Sequence, residues 1–543
     1  MKVLIIGGVA AGTKVAAKLK RDNYDTQVTI LTKAKDISYA GCGLPYYVGN
    51  LIENREDLIV NTPESFSKLT GVDVLTEVDV TKVYPDKKKV EAVHLKTNKT
   101  STYTYDKLVI ATGADPIVPP IDGIDLKGVY FMRTPEDAIK VRNSIEAGEI
   151  KRAVVVGGGF IGLEVAENLA VRGIRVSVID MAGQILPGFE AEIANYVENH
   201  LAEQGIMTFT ETKLEAILGN EKVEKVNTNR RPMKADAVIL SIGIRPNTAF
   251  LADTGIKLSK NAAIVVNEHM ETNIEDIYAV GDCAIVNNML TGKEAYSPMG
   301  SSANIEGRIL AQNLNGKKQS YKGVLGTAVV KLPELNVGKT GLTEDAAKAK
   351  GYDVVSVVTV VDDKAHYYPG ASSFIIKMIA DKSTKKLLGL QVLGKGAIDK
   401  MVDIAVMAIA LNATLDDIKD LDLSYAPPFS TAIHPFSHTV NILLNKINGE
   451  IHSITPREYS EGEAEGYKII DASIVPSIAG VPFVDLSKAH GELPQFSEDE
   501  KLLLVCTKGK RAYMLQKRLK SFGYTNTLVL EGGTTFNELS LKN

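Results

Sequence analysis

The chain has 543 residues, too many for one hydrophobic core, so three or four domains are expected. Its 45% hydrophobic and 24% charged residues exclude wholesale disorder, and a formal net charge of -4 gives no footing for nucleic acid as a partner. No apolar run reaches the roughly eighteen residues of a membrane span. The three cysteines, Cys42, Cys283 and Cys506, form no CxxC pair, so neither a disulfide framework nor a metal site is expected, and a reducing, cytoplasmic setting fits.

The apolar residues 1–6 run into Gly7-Gly8 and predict a buried parallel strand, a tight turn, a helix to about residue 19 and a second strand at 27–31. Gly7 and Gly12 hold the outer places of a G-x-G-x-x-G rhythm, with Val9 in the middle, and the doubled Gly7-Gly8 is expected to compensate for it. Thr32 stands where an acid normally takes ribose hydroxyls and offers a weaker partner. Taken alone, this turn competes with any other strand–turn–helix.

Next comes Ser38-Tyr39-Ala40-Gly41-Cys42-Gly43-Leu44-Pro45-Tyr46-Tyr47. Pro45 near a helix start places the Cys42 thiol by an N-terminus, where the dipole favours a thiolate. The flanking glycines mark an exposed turn rather than a core strand. In a C-x-x-x-x-C dithiol reductase the second cysteine would fall at Tyr47, so Cys42 must pair with a distant cysteine, pair with an external thiol, or cycle through a sulfenic acid.

A strand over residues 108–113 ends in Thr112-Gly113. At residues 152–156 the opening plan returns, with Gly157, Gly159 and Gly162 completing the rhythm, a helix to about residue 171 and a strand ending at Asp180. The Asp180 carboxylate suits a ribose 2′-hydroxyl and repels a 2′-phosphate, which favours NADH over NADPH. Two such units form an internal repeat and predict two nucleotide-binding domains. Residues 237–243 end in Gly243 as 108–113 end in Gly113. Asp282, after a strand and a glycine, could hold a polyol hydroxyl, whereas Cys283 reads as structural. From about residue 326, strands at 328–330, 354–361 and 373–379 and a helix at 399–410 predict an α+β domain. His434 and His438 have no neighbouring acid or cysteine and read as interface or surface residues rather than metal ligands. The acidic stretch 456–466 reads as a linker. In the tail, a strand at 502–505 leads to Cys506, flanked by Lys508, Lys510 and Arg511, and a helix at 512–519; this setting should lower the thiol pKa.

Residues 42–47, 108–113, 157–164 and 281–284 make the region 1–446 resemble the single-cysteine branch of the pyridine nucleotide–disulfide oxidoreductases, which includes NADH oxidases, NADH peroxidases and coenzyme A–disulfide reductases. The resemblance implies FAD held by Gly7, Gly8, Gly12, Thr32, Thr112, Gly113 and Asp282. It implies NADH held by Gly157, Gly159, Gly162, Asp180 and Gly243, and a homodimer built by the α+β domain. Peroxidases carry a histidine where this chain has Ala10. Residues 366–370 and 425–428 resemble the segments that supply active-site tyrosines in coenzyme A–disulfide reductases, so Tyr367, ahead of Tyr368, and Tyr425 are the expected donors. Members often place Asn before the cysteine, where this chain has Gly41. The Cys506 loop is similar to the C-x-x-G-x-R loop of rhodanese domains, although the usual acidic-to-histidine stretch is missing after residues 469–472.

The implied architecture is α/β: an FAD-binding domain (1–115 with 245–325), an NADH-binding domain (116–244), both Rossmann-like, an α+β dimerisation domain (326–447) and a small rhodanese-like α/β domain (456–543). The implied activity is NADH-dependent reduction of coenzyme A disulfide, persulfide or polysulfide through a Cys42–coenzyme A mixed disulfide. Cys506 would carry sulfane sulfur, and Lys14, Lys18, Arg21, Ser38 and Arg511 would contact the small-molecule thiol substrates. An NADH oxidase reducing oxygen is the nearest alternative, and a sulfur-carrier module on a docking flavoprotein the next.

Overall fold

The computed structural model describes all residues except Glu492, Pro494 and Ser540–Asn543. It divides into two units, Met1–Pro187 with Leu201–Val324, and Gly188–His200 with Leu325–Asn543. Among the described residues no helix is long and apolar enough to cross a membrane.

In the first unit the buried run Lys2–Ile6 pairs in parallel with Gln27–Thr32 and Lys107–Ile110, and Asp73–Thr76 and Ile277–Ala279 complete a five-stranded sheet. Its alternate residues feed two cores, Leu4, Ile6 and Leu31 on one face and Val3, Ile5 and Ile30 on the other. Burial on both faces is why these strands read as continuous apolar runs. Helix α1 (Ala10–Asp22) follows the first strand. The short α2 (Leu44–Val48) and α3 (Pro63–Thr70) follow the second. The plan repeats in a second parallel sheet centred on Arg152–Val156, flanked by Arg175–Ile179 and Ala237–Leu240. Helix α4 (Pro135–Glu146) precedes that central strand and α5 (Phe160–Val171) follows it. Beyond α6 (Ala191–Glu203) the chain returns through α7 (Gly300–Leu314), which packs along α1.

The second unit holds a five-stranded antiparallel sheet. Two of its strands, Leu335–Gly341 and Leu387–Gly394, are absent from the sequence reading. The first mixes Asn, Lys and Gly with its apolar residues, and the second is buried along its whole length and so shows no polar alternation. Helices α8 (Glu344–Lys348), α9 (Asp399–Ala410), α10 (Leu415–Ile418) and α11 (Pro435–Ile447) accompany this sheet. His434 is a correction to the surface reading: it is buried and its Nδ1 caps α11 by accepting the Phe436 N–H.

The expected linker also differs. It opens with a helix, α12 (Pro456–Ser460), because Thr455 and Glu458 form a capping box around Pro456. A four-stranded parallel sheet follows, ordered Ser453–Ile454, Thr527–Leu530, Leu502–Val505, Lys468–Asp471. It carries α13 (Lys510–Ser521) and the short α14 (Gly533–Phe536). Residues 188–200 count with this second unit rather than with the rest of 116–244. Their Glu190 and Glu192 meet the fully buried Lys377, together with Glu344.

Candidate active site

The two glycine turns superimpose in character. Gly7 and Gly157 share φ = 111°, a left-handed conformation that glycine alone adopts without strain. A Cβ at Gly12 or Gly162 would stand 2.0 Å from the carbonyl oxygen of Gly7 or Gly157. The middle places differ: Gly159 has nothing within 4 Å of where its Cβ would be, whereas Val9 fills the corresponding place. Gly8 does not compensate, because it faces inward, with Ile37 2.9 Å from where a Cβ would be. Thr32 and Asp180 occupy equivalent positions, each one residue past the last pairing with its central strand. Thr32 is buried. Asp180 accepts the amides of Gly158 at 2.7 Å and Ala182 at 2.8 Å.

Helices α1 and α5 both begin without a side-chain cap, while α3 and α4 are capped by Thr62 and Thr134. Uncapped amides after a glycine turn are the donor set that a pyrophosphate requires, so the turns fit dinucleotides. Gly113 and Gly243 follow their sheet strands as expected. The Thr112 hydroxyl donates to the Asn247 carbonyl at 2.7 Å. Asp282, in a tight turn, accepts from Arg133 at 2.8 Å, a partner that the sequence reading missed. Cys283 is structural: its thiol is buried, contacts the carbonyls of Ile110 and Val280, and is pushed by burial up to about 11.

Cys42 lies in the single turn Gly41–Gly43, directly before α2, and is exposed. The expected acidification is not found. Crowding by protein raises its thiol, Glu164 and Asp282 add to the rise, and only Arg133 opposes them. Helix α2 has five residues, too few for a dipole that could outweigh two carboxylates. Nothing lies within 4 Å of where a Gly41 Cβ would be, so the place of the family's asparagine is open. Glu164, on α5, accepts the Tyr46 hydroxyl at 3.2 Å, and burial pushes its carboxyl up to about 7.

In the same unit, a cleft of about 630 Å³ is lined by Ser38 and Tyr39, by Lys14, Lys20 and Arg21 of α1, and by the Tyr24 ring. Lys18 is not among its walls and pairs with Asp22 one turn along α1. Lys20, absent from the sequence reading, stands 4.2 Å over the Tyr24 ring.

In the second unit Tyr367 and Tyr425 are brought together, and their shared hydrogen bond raises the Tyr367 hydroxyl. Cys506 closes the strand Leu502–Val505 and is buried, with the Gly509 N–H donating to its Sγ at 3.2 Å. Two of its flanking cations are engaged: Lys508 pairs with Asp362 at 2.6 Å, and Arg511 donates to the Ala472 carbonyl at 3.0 Å.

Two dinucleotide-type turns and one exposed thiol within one unit are the layout of a nicotinamide-dependent thiol oxidoreductase. A family model described as pyridine nucleotide-disulphide oxidoreductase matches residues 1–304, and the dimerisation domain of that family matches residues 327–435. The chain belongs to this family of FAD- and NAD(P)H-dependent oxidoreductases. It is 37% identical over 451 residues to an NADH oxidase of Methanocaldococcus jannaschii, covering 83% of this chain and 100% of that one. It is 36% identical to a CoA-dependent NAD(P)H sulfur oxidoreductase of Pyrococcus abyssi, over 81% of this chain and 98% of the relative. The solved NAD-dependent persulfide reductase from A. fulgidus is 34% identical, with a TM-score of 0.94 over 99% of this chain and 100% of that structure.

Asp180 sets a testable preference. Asp180→Ala removes an acceptor of two amides and the charge that repels a 2′-phosphate. A charged hydrogen-bonding group of this kind contributes about 1.5–3 kcal/mol, so kcat/KM for NADH should fall by roughly 10- to 100-fold while the ratio of NADPH to NADH use rises. Flavin reduction followed with each nucleotide measures both.

Proposed function

We propose that this chain is an NADH-dependent reductase of coenzyme A disulfide, persulfide and polysulfide, working in the cytoplasm as a homodimer through a mixed disulfide on Cys42. The observation that carries the reading is a lone exposed thiol in the same unit as a cleft that combines cations, an aromatic ring and apolar walls such as Phe66 and Leu69. A ligand with phosphates, a purine and a long thiol-bearing arm matches that combination. The names of the Pyrococcus abyssi and A. fulgidus relatives support it.

NADH is held by the Gly157 turn and Asp180, and FAD by the Gly7 turn, Gly113 and Asp282 with Arg133. Bound FAD supplies a two-electron passage between nicotinamide and sulfur. The Cys42 thiolate attacks one sulfur of a coenzyme A disulfide, so that one S–S bond forms as the other breaks and a coenzyme A thiolate leaves. Tyr367 and Tyr425 donate protons to departing thiolates. An electron pair from NADH then opens the mixed disulfide, the second coenzyme A leaves as a thiol, and the Cys42 thiolate is restored. The tail is read as rhodanese-like, with Cys506 taking sulfane sulfur from a persulfide whose thiol departs.

Intact mass of the unreduced protein tests the reading. It should show an adduct of coenzyme A size on the Cys42 peptide that NADH removes. A free Cys42 with oxygen uptake exceeding disulfide reduction would overturn it and establish the second reading, an NADH oxidase, which the name of the Methanocaldococcus jannaschii relative favours.

A further inference from the structure

Helix α2 starts two residues after Cys42 and is barely longer than one turn, so few intrahelical bonds fix it. Its far end is held from outside by two arginines of the second nucleotide-binding segment. Arg142, on α4, donates through Nη1 to the carbonyls of Glu53 at 2.8 Å, Ile52 at 3.2 Å and Tyr47 at 3.4 Å, and through Nη2 to Asn50 Oδ1 at 2.6 Å. The guanidinium also lies 4.4 Å over the Tyr47 ring, and Glu146 holds Nε at 2.9 Å. Arg172, which follows α5, adds a bond to the Val48 carbonyl at 3.4 Å. Asn50 sits at φ = 67°, a left-handed conformation that is costly for a side-chain-bearing residue unless its surroundings fix it. Both terminal nitrogens of the Arg142 fork are therefore directed at the segment that ends α2, and a lysine could not reproduce that planar set.

We propose that Arg142 is a positioning residue for Cys42: it fixes the end of α2 and thereby the place and orientation of the thiol at the helix's other end. This rests on the reading of Cys42 as the thiol that exchanges with disulfides. Thiolate attack is sensitive to alignment, and a displacement of about 1 Å can cost roughly 100-fold. Hydride transfer from NADH does not pass through α2.

The test uses the FAD-loaded Arg142→Lys protein, with Asn50→Gly as a milder variant that removes one acceptor on an exposed loop and keeps the left-handed turn unstrained. Flavin reduction by NADH should stay within about twofold of the parent while reoxidation of the reduced enzyme by coenzyme A disulfide slows about tenfold or more. The long-wavelength absorbance of the Cys42 thiolate beside oxidised flavin should weaken, and the pH profile of Cys42 alkylation by iodoacetamide should move. Asn50→Gly should show the same pattern at smaller size, and it decides the question if Arg142→Lys does not fold. Unchanged reoxidation, absorbance and alkylation profile would overturn the proposal, as would an equal slowing of both half-reactions. If coenzyme A disulfide fails even with the parent enzyme, the functional reading falls, and the absorbance and alkylation profile still decide the role of Arg142.

Discussion

Cys42→Ser is expected to reduce coenzyme A–disulfide turnover by about a thousandfold or more while leaving flavin reduction by NADH within about twofold. A serine hydroxyl cannot form the sulfur–sulfur bond on which the exchange depends, and no other cysteine can substitute. Cys283 is fully buried, with its thiol pushed up to about 11. Cys506 is itself buried. Reducing the variant with NADH under anaerobic conditions and then adding coenzyme A disulfide separates the two half-reactions. Retention of more than about a tenth of the parent turnover would move the chemistry away from Cys42. Because the surroundings of Cys42 raise its thiol rather than lower it, the parent rate should climb with pH until the thiol ionises, and Glu164→Gln should bring that rise to lower pH by removing a neighbouring carboxylate.

What the sequence disclosed follows from how local each constraint is. The Gly157, Gly159, Gly162 and Asp180 set was legible because one backbone turn dictates all four positions. Gly8 was misread because its neighbour, Ile37, is close in space but distant in sequence. Arg133 and Arg142 escaped for the same reason: their partners, Asp282 and the residues at 47–53, lie roughly ninety or more positions away and are largely backbone carbonyls, which no side-chain pattern records. Lys508 beside Cys506 was legible as a residue but not as a charge already engaged, since Asp362 comes from another domain of the same unit. The capping box at Thr455 and Glu458 did leave a sequence signal, obscured by the surrounding run of acids.

Lys377 is the other position where a single change should have a large effect, on stability rather than turnover. It sits on the strand Ser373–Asp381 amid apolar residues, with no exposed side-chain surface, and meets Glu344 at 2.6 Å, Glu192, and Glu190 at 3.8 Å. Glu344 also accepts the Ser356 hydroxyl at 2.6 Å, and Glu190 accepts the Glu344 amide at 2.7 Å. Burial pushes the Glu344 carboxyl up, but Lys377 and the Ser356 bond overcome it and hold the group down at about 2. Burial dominates at Glu190, which is raised despite the pull of Lys377.

Lys377→Met would leave three carboxylates crowded together with only the more distant Arg457, 3.9 Å from Glu190 and Glu344, and Lys348, 3.6 Å from Glu344, and breaking a buried pair from one side costs about 3–5 kcal/mol. The pH dependence fixes the cause. In the parent, the depressed Glu344 contributes stability that is present above its unfolded value, near 4.3, and is lost as pH falls toward about 2. In the variant the same carboxyl rises above its unfolded value, so its contribution is present in acid and lost as pH climbs through the raised value. The deficit relative to the parent should therefore be smaller near about pH 5 than near about pH 8, measured by denaturant unfolding at each. An equal deficit at both would show that lost packing, not uncompensated charge, is responsible. Adding Glu344→Gln and Glu192→Gln to Lys377→Met should then restore much of the stability near neutral pH, because Glu190, whose carboxyl burial already raises, is then the one carboxyl of the three left to solvate.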